Sequence, residues 1–138
     1  MFSGTGGSGV KDMPSEHSKV MTEKCITCHI YKGKEKTEKV YGHTFQINDK
    51  VCLHCHEETK ILMLGWRERI TPLAEQLKEL LDNYPDKRSG LYIAANRNYT
   101  LVITDGGVGI HNPRYAQELL KNSILLLRSG NAESTWSK

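Results

Sequence analysis

Cysteine and histidine are the residues of this 138-residue chain whose types and spacing could do chemistry. All four cysteines fall in two motifs of the form C-x-x-C-H, at residues 25–29 and 52–56. Paired cysteines serve four chemistries: zinc binding by thiolates, dithiol redox exchange, structural disulfides and covalent attachment of haem c. In haem attachment, two thioether bonds hold the porphyrin and the histidine that follows binds the iron.

The histidine directly after each second cysteine favours one of these chemistries. Zinc binding, redox exchange and disulfide formation do not require it, and random placement of 6 histidines in 138 residues would seldom fill both positions. Haem attachment requires it, because the imidazole must lie under the iron. We therefore expect two covalently bound haem c groups. The attaching residues would be Cys25, Cys28, Cys52 and Cys55, and the proximal iron ligands would be His29 and His56.

The composition agrees with a core built partly from cofactors. Hydrophobic residues make up 38% of the chain and aromatic residues only 7%, which is little for a small domain that must close its own core. The net charge is +3, and four haem propionates would cancel it, so basicity is a poor argument for a nucleic-acid partner. No apolar run approaches the roughly 18 residues of a membrane span, so we do not expect an integral membrane protein.

The second axial ligand of each iron distinguishes an electron carrier from a catalyst. Histidines are numerous enough for two bis-histidine irons, so methionine is not needed. His111 is the strongest candidate, because Asn112 is a good helix N-cap and Pro113 a good first helical residue, and a rigid element would hold it. His17 and His43 each precede a motif, and spacing alone does not choose between them.

Other histidine and methionine positions are weaker candidates. His54 lies inside the second motif, beside cysteines tied to their own porphyrin, and a surface or propionate contact suits it better. Met21 and Met63 sit in apolar helical patterns and are expected to pack rather than bind iron.

The order of these motifs resembles the C-terminal two-haem part of multihaem cytochromes c. That family includes the pentahaem ammonia-forming nitrite reductases and the octahaem hydroxylamine oxidoreductases. The resemblance covers roughly residues 13–128, and the two C-x-x-C-H motifs and the string His111-Asn112-Pro113 are its most specific parts.

The resemblance implies ligands that cross between the two motifs. His29 and His111 would bind the first haem iron, and His56 and His17 would bind the second. His43 would then be a propionate partner, a ligand for another molecule's haem or a histidine without a haem. If the analogy fails, His43 is the first substitute for His17.

The resemblance does not carry enzyme activity with it. In the nitrite reductases a separate haem, typically with lysine as proximal ligand, is catalytic, whereas both motifs here end in histidine. We expect an electron-transfer protein, not an enzyme, with two low-spin bis-histidine haems. The alternatives are a haem enzyme or small-ligand sensor with one open iron, or an interaction module that joins haem chains through His43.

Partners and location follow from the same interpretation. Redox proteins of unknown identity would be the partners, and the chain would be a monomer or a weak oligomer. No secretory leader is visible, and haem is normally attached after export, so we expect a mature exported, periplasmic form.

The fold expected around these sites is mainly α-helical, a multihaem cytochrome c fold of few helices and long loops packed around two haems. Apolar periodicity predicts two long antiparallel C-terminal helices, over 60–84 and from Pro113 to about Arg128. The glycine-rich stretch 106–109 is expected to be a turn that delivers His111, whereas 101–103 suits a strand or a turn. Residues 1–12 suggest a flexible tail, 13–128 the dihaem domain and 129–138 a frayed end.

Overall fold

The computed structural model describes residues 1–30, residue 47 and residues 49–135. This part of the chain is mainly helical and contains no strand, which confirms the predicted fold class at that level. Its helices are α1 (Glu16–Val20), α2 (Cys25–His29), α3 (Asp49–Cys52), α4 (Thr59–Asp82), α5 (Gly90–Ile103) and α6 (Pro113–Thr135).

Helix α4 forms where the apolar periodicity predicts a long helix. Buried side chains recur every three or four positions along it, at Ile70, Ala74, Leu77 and Leu81, and form one apolar stripe. Pro72 lies inside the helix and does not end it. Proline removes one backbone hydrogen bond, and the burial of the apolar stripe on both sides of Pro72 outweighs that loss.

Helix α5 occupies a region whose sequence pattern is irregular. Ser89 is its N-cap, and the Ser89 hydroxyl accepts a hydrogen bond from the Tyr92 backbone N–H at 3.2 Å. Ala95, Asn98 and Val102 form its buried face. The apolar stretch 101–103 is therefore the end of a helix rather than a strand or a turn.

Helix α6 runs antiparallel to α5, whereas the sequence pattern predicts the helix over 60–84 as its antiparallel partner. The Asn98 side chain donates a hydrogen bond to the Ser123 hydroxyl at 3.0 Å. Earlier in α5, a Leu91 methyl lies 2.5 Å from where a Cβ on Gly130 would stand. The buried residues of α4 belong to the same apolar core. Helix α6 also continues to Thr135, past the predicted end near Arg128.

The N-terminal segment packs against α5 and α6. Its glycine content alone predicts a flexible tail instead. The Gly7 N–H donates to the Tyr115 hydroxyl at 2.8 Å. Ser8 exchanges two hydrogen bonds with the Asn98 side chain, at 2.7 Å and 2.9 Å. A Cβ on Gly7 would overlap a Leu119 methyl, so only glycine allows this close approach.

The chain divides into two compact units. We call Met1–Ser15 with Gly65–Lys138 the helical unit, and Glu16–Leu64 the motif unit, because it carries both C-x-x-C-H motifs. Every buried apolar side chain of the described residues belongs to the helical unit. None of the described helices combines the length and the apolar character that crossing a membrane requires.

Candidate functional site

The first motif folds as a single helical turn. Helix α2 begins at Cys25 and ends at His29, so the residues three and four positions after Cys25 lie on its side of the turn. Cys25 is exposed, while Cys28 and His29 are half-buried. The turn thus presents two thiols and one imidazole to a common side.

The second motif repeats this local structure. Cys52 is the last residue of α3, and its carbonyl accepts hydrogen bonds from Cys55 N–H at 3.1 Å and His56 N–H at 2.9 Å. These bonds wind residues 52–56 into a helical turn of the same spacing. Helices α2 and α3 are in contact, so the two motifs are neighbours within the motif unit.

The four motif cysteines carry free thiols, and one of these thiols has a raised pKa. Burial raises the pKa of the Cys28 thiol, and the charges of Cys25 and Cys55 raise it further. No disulfide joins the four cysteines, and the described residues contain no group of three or more donors arranged to hold a metal ion.

Two imidazoles of the motif unit lie at a separation that suits one metal ion between them. The ring centroids of His17 and His56 are 5.8 Å apart and the ring planes are at 85°. Two imidazoles that bind a metal from opposite sides, each through a nitrogen about 2 Å away, have centroids about 6 Å apart. Two rings in edge-to-face contact without a metal have a similar separation. The interpretation as a metal site therefore depends also on the two C-x-x-C-H motifs.

The remaining candidates of the motif unit differ from His17. His54 is exposed, with Nδ1 3.2 Å from the Val51 carbonyl oxygen, as expected for a surface histidine. His43 lies outside the described residues. The ring contact with His56 is observed for His17.

The motif unit fits a group with large apolar faces. None of its described apolar side chains is buried, and eight large ones are exposed, from 38% for Leu62 to 69% for Val20. The other six are Ile26, Ile30, Ile47, Leu53, Ile61 and Leu64. Exposed apolar side chains mark a binding surface where they are contiguous. Ile26 and Leu53 lie within the two motifs, where a thioether-bound porphyrin would cover them.

A surface cavity opens beside the second motif. Its volume is about 360 Å³, and its lining residues are Leu53, Glu57, Glu58, Thr59, Lys60 and Ile61. The lining combines apolar and charged side chains, and five of the six lining residues directly follow His56, the last residue of the helical turn.

His111 lies in the helical unit, immediately before α6. The Asn112 side-chain oxygen accepts the Tyr115 N–H at 3.2 Å and Pro113 is the first helical residue, which confirms both predictions from the sequence. The Asn112 side-chain amide also donates to the Met13 carbonyl at 2.6 Å. Asn112 is thus held through both its side-chain oxygen and its side-chain amide nitrogen. His111, the residue before it, is held in place with it.

A glycine turn joins α5 to His111, as the sequence predicts. Gly106 and Gly109 have φ values of +71° and +81°, which favour glycine. The Ile110 N–H donates to the Gly107 carbonyl at 3.2 Å and closes the turn. The turn fixes the direction in which the chain reaches His111.

The structure adds one residue that the motifs do not reveal. Asp105 Oδ1 lies 2.8 Å from His111 Nδ1, and the Asp105 side chain is 9% exposed against 34% for His111. Asp105 precedes the glycine turn, and the only signal in the sequence is an acidic residue six positions before the candidate ligand.

His29 and His111 belong to different units, so their pairing on one iron stays an implication of the family resemblance. Comparison of the chain with family models, curated proteins and solved structures finds no match.

Proposed function

We propose that this chain is an electron-transfer dihaem c-type cytochrome with two covalently attached haem c groups and bis-histidine irons. The observation that carries the proposal is the pair of C-x-x-C-H helical turns in a unit with no apolar core among its described residues. The separation of His17 and His56 supports the same function.

Each half of the site has its own set of residues. Cys25 and Cys28 would anchor the first haem and Cys52 and Cys55 the second. The iron ligands follow the resemblance to multihaem cytochromes c: His29 with His111 for the first haem, and His56 with His17 for the second.

The haem iron supplies reversible one-electron oxidation and reduction. The chain's contribution is to fix the ligand nitrogens and to exclude other ligands from the iron. With two histidine ligands, each iron would have no open position for a substrate, which favours electron transfer over catalysis. Redox proteins would be the partners, and an exported location suits haem attachment.

The experiment is expression in a host that attaches haem c, followed by intact mass and a haemochrome assay. We expect the mass of the polypeptide plus two haems, and low-spin ferric spectra for both. Replacing Cys52 and Cys55 together by alanine should remove one haem, and replacing Cys25 and Cys28 should remove the other. Replacing Thr27 by alanine is the matched control, since it alters a motif but no attaching residue.

Three results would overturn parts of the proposal. A colourless protein with the mass of bare polypeptide would refute haem attachment altogether. A high-spin ferric signal with ready cyanide or nitrite binding would identify an enzyme or sensor with an open iron. Iron that becomes high-spin on dilution at constant haem content would identify a module whose ligand comes from another molecule, as His43 could supply.

A further inference from the structure

Asp105 and His111 form a partly buried carboxylate–imidazole pair on either side of the glycine turn. Asp105 Oδ1 and His111 Nδ1 are 2.8 Å apart, the distance of a hydrogen bond to a charged acceptor. A carboxylate oxygen can only accept, so the hydrogen is on His111 Nδ1. In the neutral ring the lone pair is then on Nε2, and that nitrogen is the one able to bind iron.

The surroundings of Asp105 point to more than a surface ion pair. The Asp105 side chain is 9% exposed, and its second oxygen, Oδ2, is buried with no hydrogen-bond partner among the described residues. Burying a carboxylate in this way is costly. The imidazole of His111, which contacts the other oxygen of Asp105, is itself 34% exposed.

The backbone fixes both members of the pair. Asp105 follows the C-terminal end of α5, where Thr104 is the C-cap. His111 precedes the N-cap of α6, and its ring lies 3.6 Å from where a Cβ on Gly107 would stand. A Cβ there would make only an ordinary van der Waals contact with the ring, so the imidazole lies directly against the backbone of the glycine turn.

We infer that Asp105 is a positioning residue for an axial ligand: it fixes the His111 tautomer and makes Nε2 a stronger donor to iron. The inference rests on the proposed function. Metal-binding histidines commonly donate their second N–H to a carboxylate, which orients the ring and raises its basicity. A stronger donor stabilises ferric over ferrous iron, so Asp105 lowers the reduction potential of one haem.

The test measures both midpoint potentials of the haem-loaded chain by spectropotentiometry, with ferric EPR spectra. Asp105→Asn keeps an oxygen acceptor but removes the charge. We expect it to leave both irons low-spin and to raise one potential, so that the reduced-to-oxidised ratio of that haem rises about tenfold, or about 59 mV for one electron. Asp105→Ala should shift the same haem further and make part of it high-spin.

Asp82→Asn is the matched control, because it removes the same charge from an exposed site in the same unit, where Asp82 pairs with Lys78. It should leave both potentials unchanged. A purely structural role for Asp105 would lower the unfolding temperature of its variants without moving either potential. That result would overturn the inference.

His111→Ala separates this inference from the proposed function. If it alters one haem while both Asp105 variants leave potentials and spectra as in the wild type, the inference fails and the ligand assignment stands. If it alters neither haem, His111 is not a ligand and both fail. A chain without haem refutes the proposed function itself.

Discussion

Replacing Gly109 by alanine tests whether close packing holds the turn that presents His111. Gly109 has a φ of +81°, and an added Cβ would lie 2.6 Å from the Ile70 Cδ1 and 2.9 Å from the Ala116 Cβ. Gly106 is the matched control in the same turn. Its φ is +71°, and an added Cβ would have no neighbour within 4 Å.

The magnitude follows from comparing the two sites. Both alanines adopt a left-handed backbone conformation, which costs about 1–2 kcal/mol. Both also lower the entropy of the unfolded chain by the same amount, which cancels in the comparison. Gly109→Ala alone forces extra volume into the core, at a cost of about 1–3 kcal/mol. We expect Gly109→Ala to lower the free energy of unfolding by about 1–3 kcal/mol more than Gly106→Ala does.

Urea unfolding of the haem-loaded chain, followed by far-ultraviolet circular dichroism, measures both values. Equal destabilisation by the two substitutions would refute the packing argument, because only the backbone term would remain. The low-spin fraction, read from visible spectra, provides a second measurement. Since the turn leads to His111, only Gly109→Ala should lower the low-spin fraction of one haem.

Three further substitutions or conditions test other parts of the structure. His17→Ala should turn one of the two haems high-spin in visible and EPR spectra, because its ring lies 5.8 Å from that of His56, the proximal ligand that we propose for the second haem. His54→Ala should leave both low-spin. Asn98→Ala should lower the unfolding free energy by about 3 kcal/mol, because it removes three hydrogen bonds in a buried network. Asn122→Ala, which removes one exposed hydrogen bond, should cost less than about 1 kcal/mol. In the haem-free chain, burial raises the pKa of the Cys28 thiol, so its alkylation should reach half its maximal rate at a higher pH than in the urea-unfolded chain.

Each of these expectations has a contrary outcome. Two low-spin haems after His17→Ala would exclude His17 as a ligand and direct the search to His43. Equal losses of stability for the two asparagine variants would mean that the N-terminal segment is not held by Asn98. An alkylation profile of Cys28 that does not change on unfolding, followed by mass spectrometry of its peptide, would show that the thiol is not buried.

Local signals in the sequence predict the helix ends around the candidate ligand well. Asn112 and Pro113 form an N-cap and a first turn because a side-chain acceptor and a preset φ act within a few residues. The long apolar period of α4 is a signal of the same kind, since burial of one face repeats with the turn of the helix. The glycine turn of residues 106–109 also follows from local backbone preferences.

Long-range contacts explain what the sequence pattern misses. Asn98 is a polar residue in the middle of the buried face of α5, which breaks the apolar period, and its partners lie 25 and 90 positions away. Gly7 looks like linker composition, yet its missing side chain is what allows contact with Tyr115. Asp105 gives no motif with His111, because the turn between them, not their spacing, brings them together.

The two units differ in how far their apolar side chains are buried without a cofactor. The helices of the helical unit bury their own apolar side chains, so His111 is attached to a packed core. In the motif unit, eight large apolar side chains are exposed. Completing the burial of one such side chain stabilises the protein by about 1 kcal/mol, since full burial is worth about 1.5–3 kcal/mol and these are partly covered. On the proposed function, covalent attachment would therefore add several kcal/mol of burial to the unit that carries Cys25 and Cys52, and so would stabilise the motif unit further.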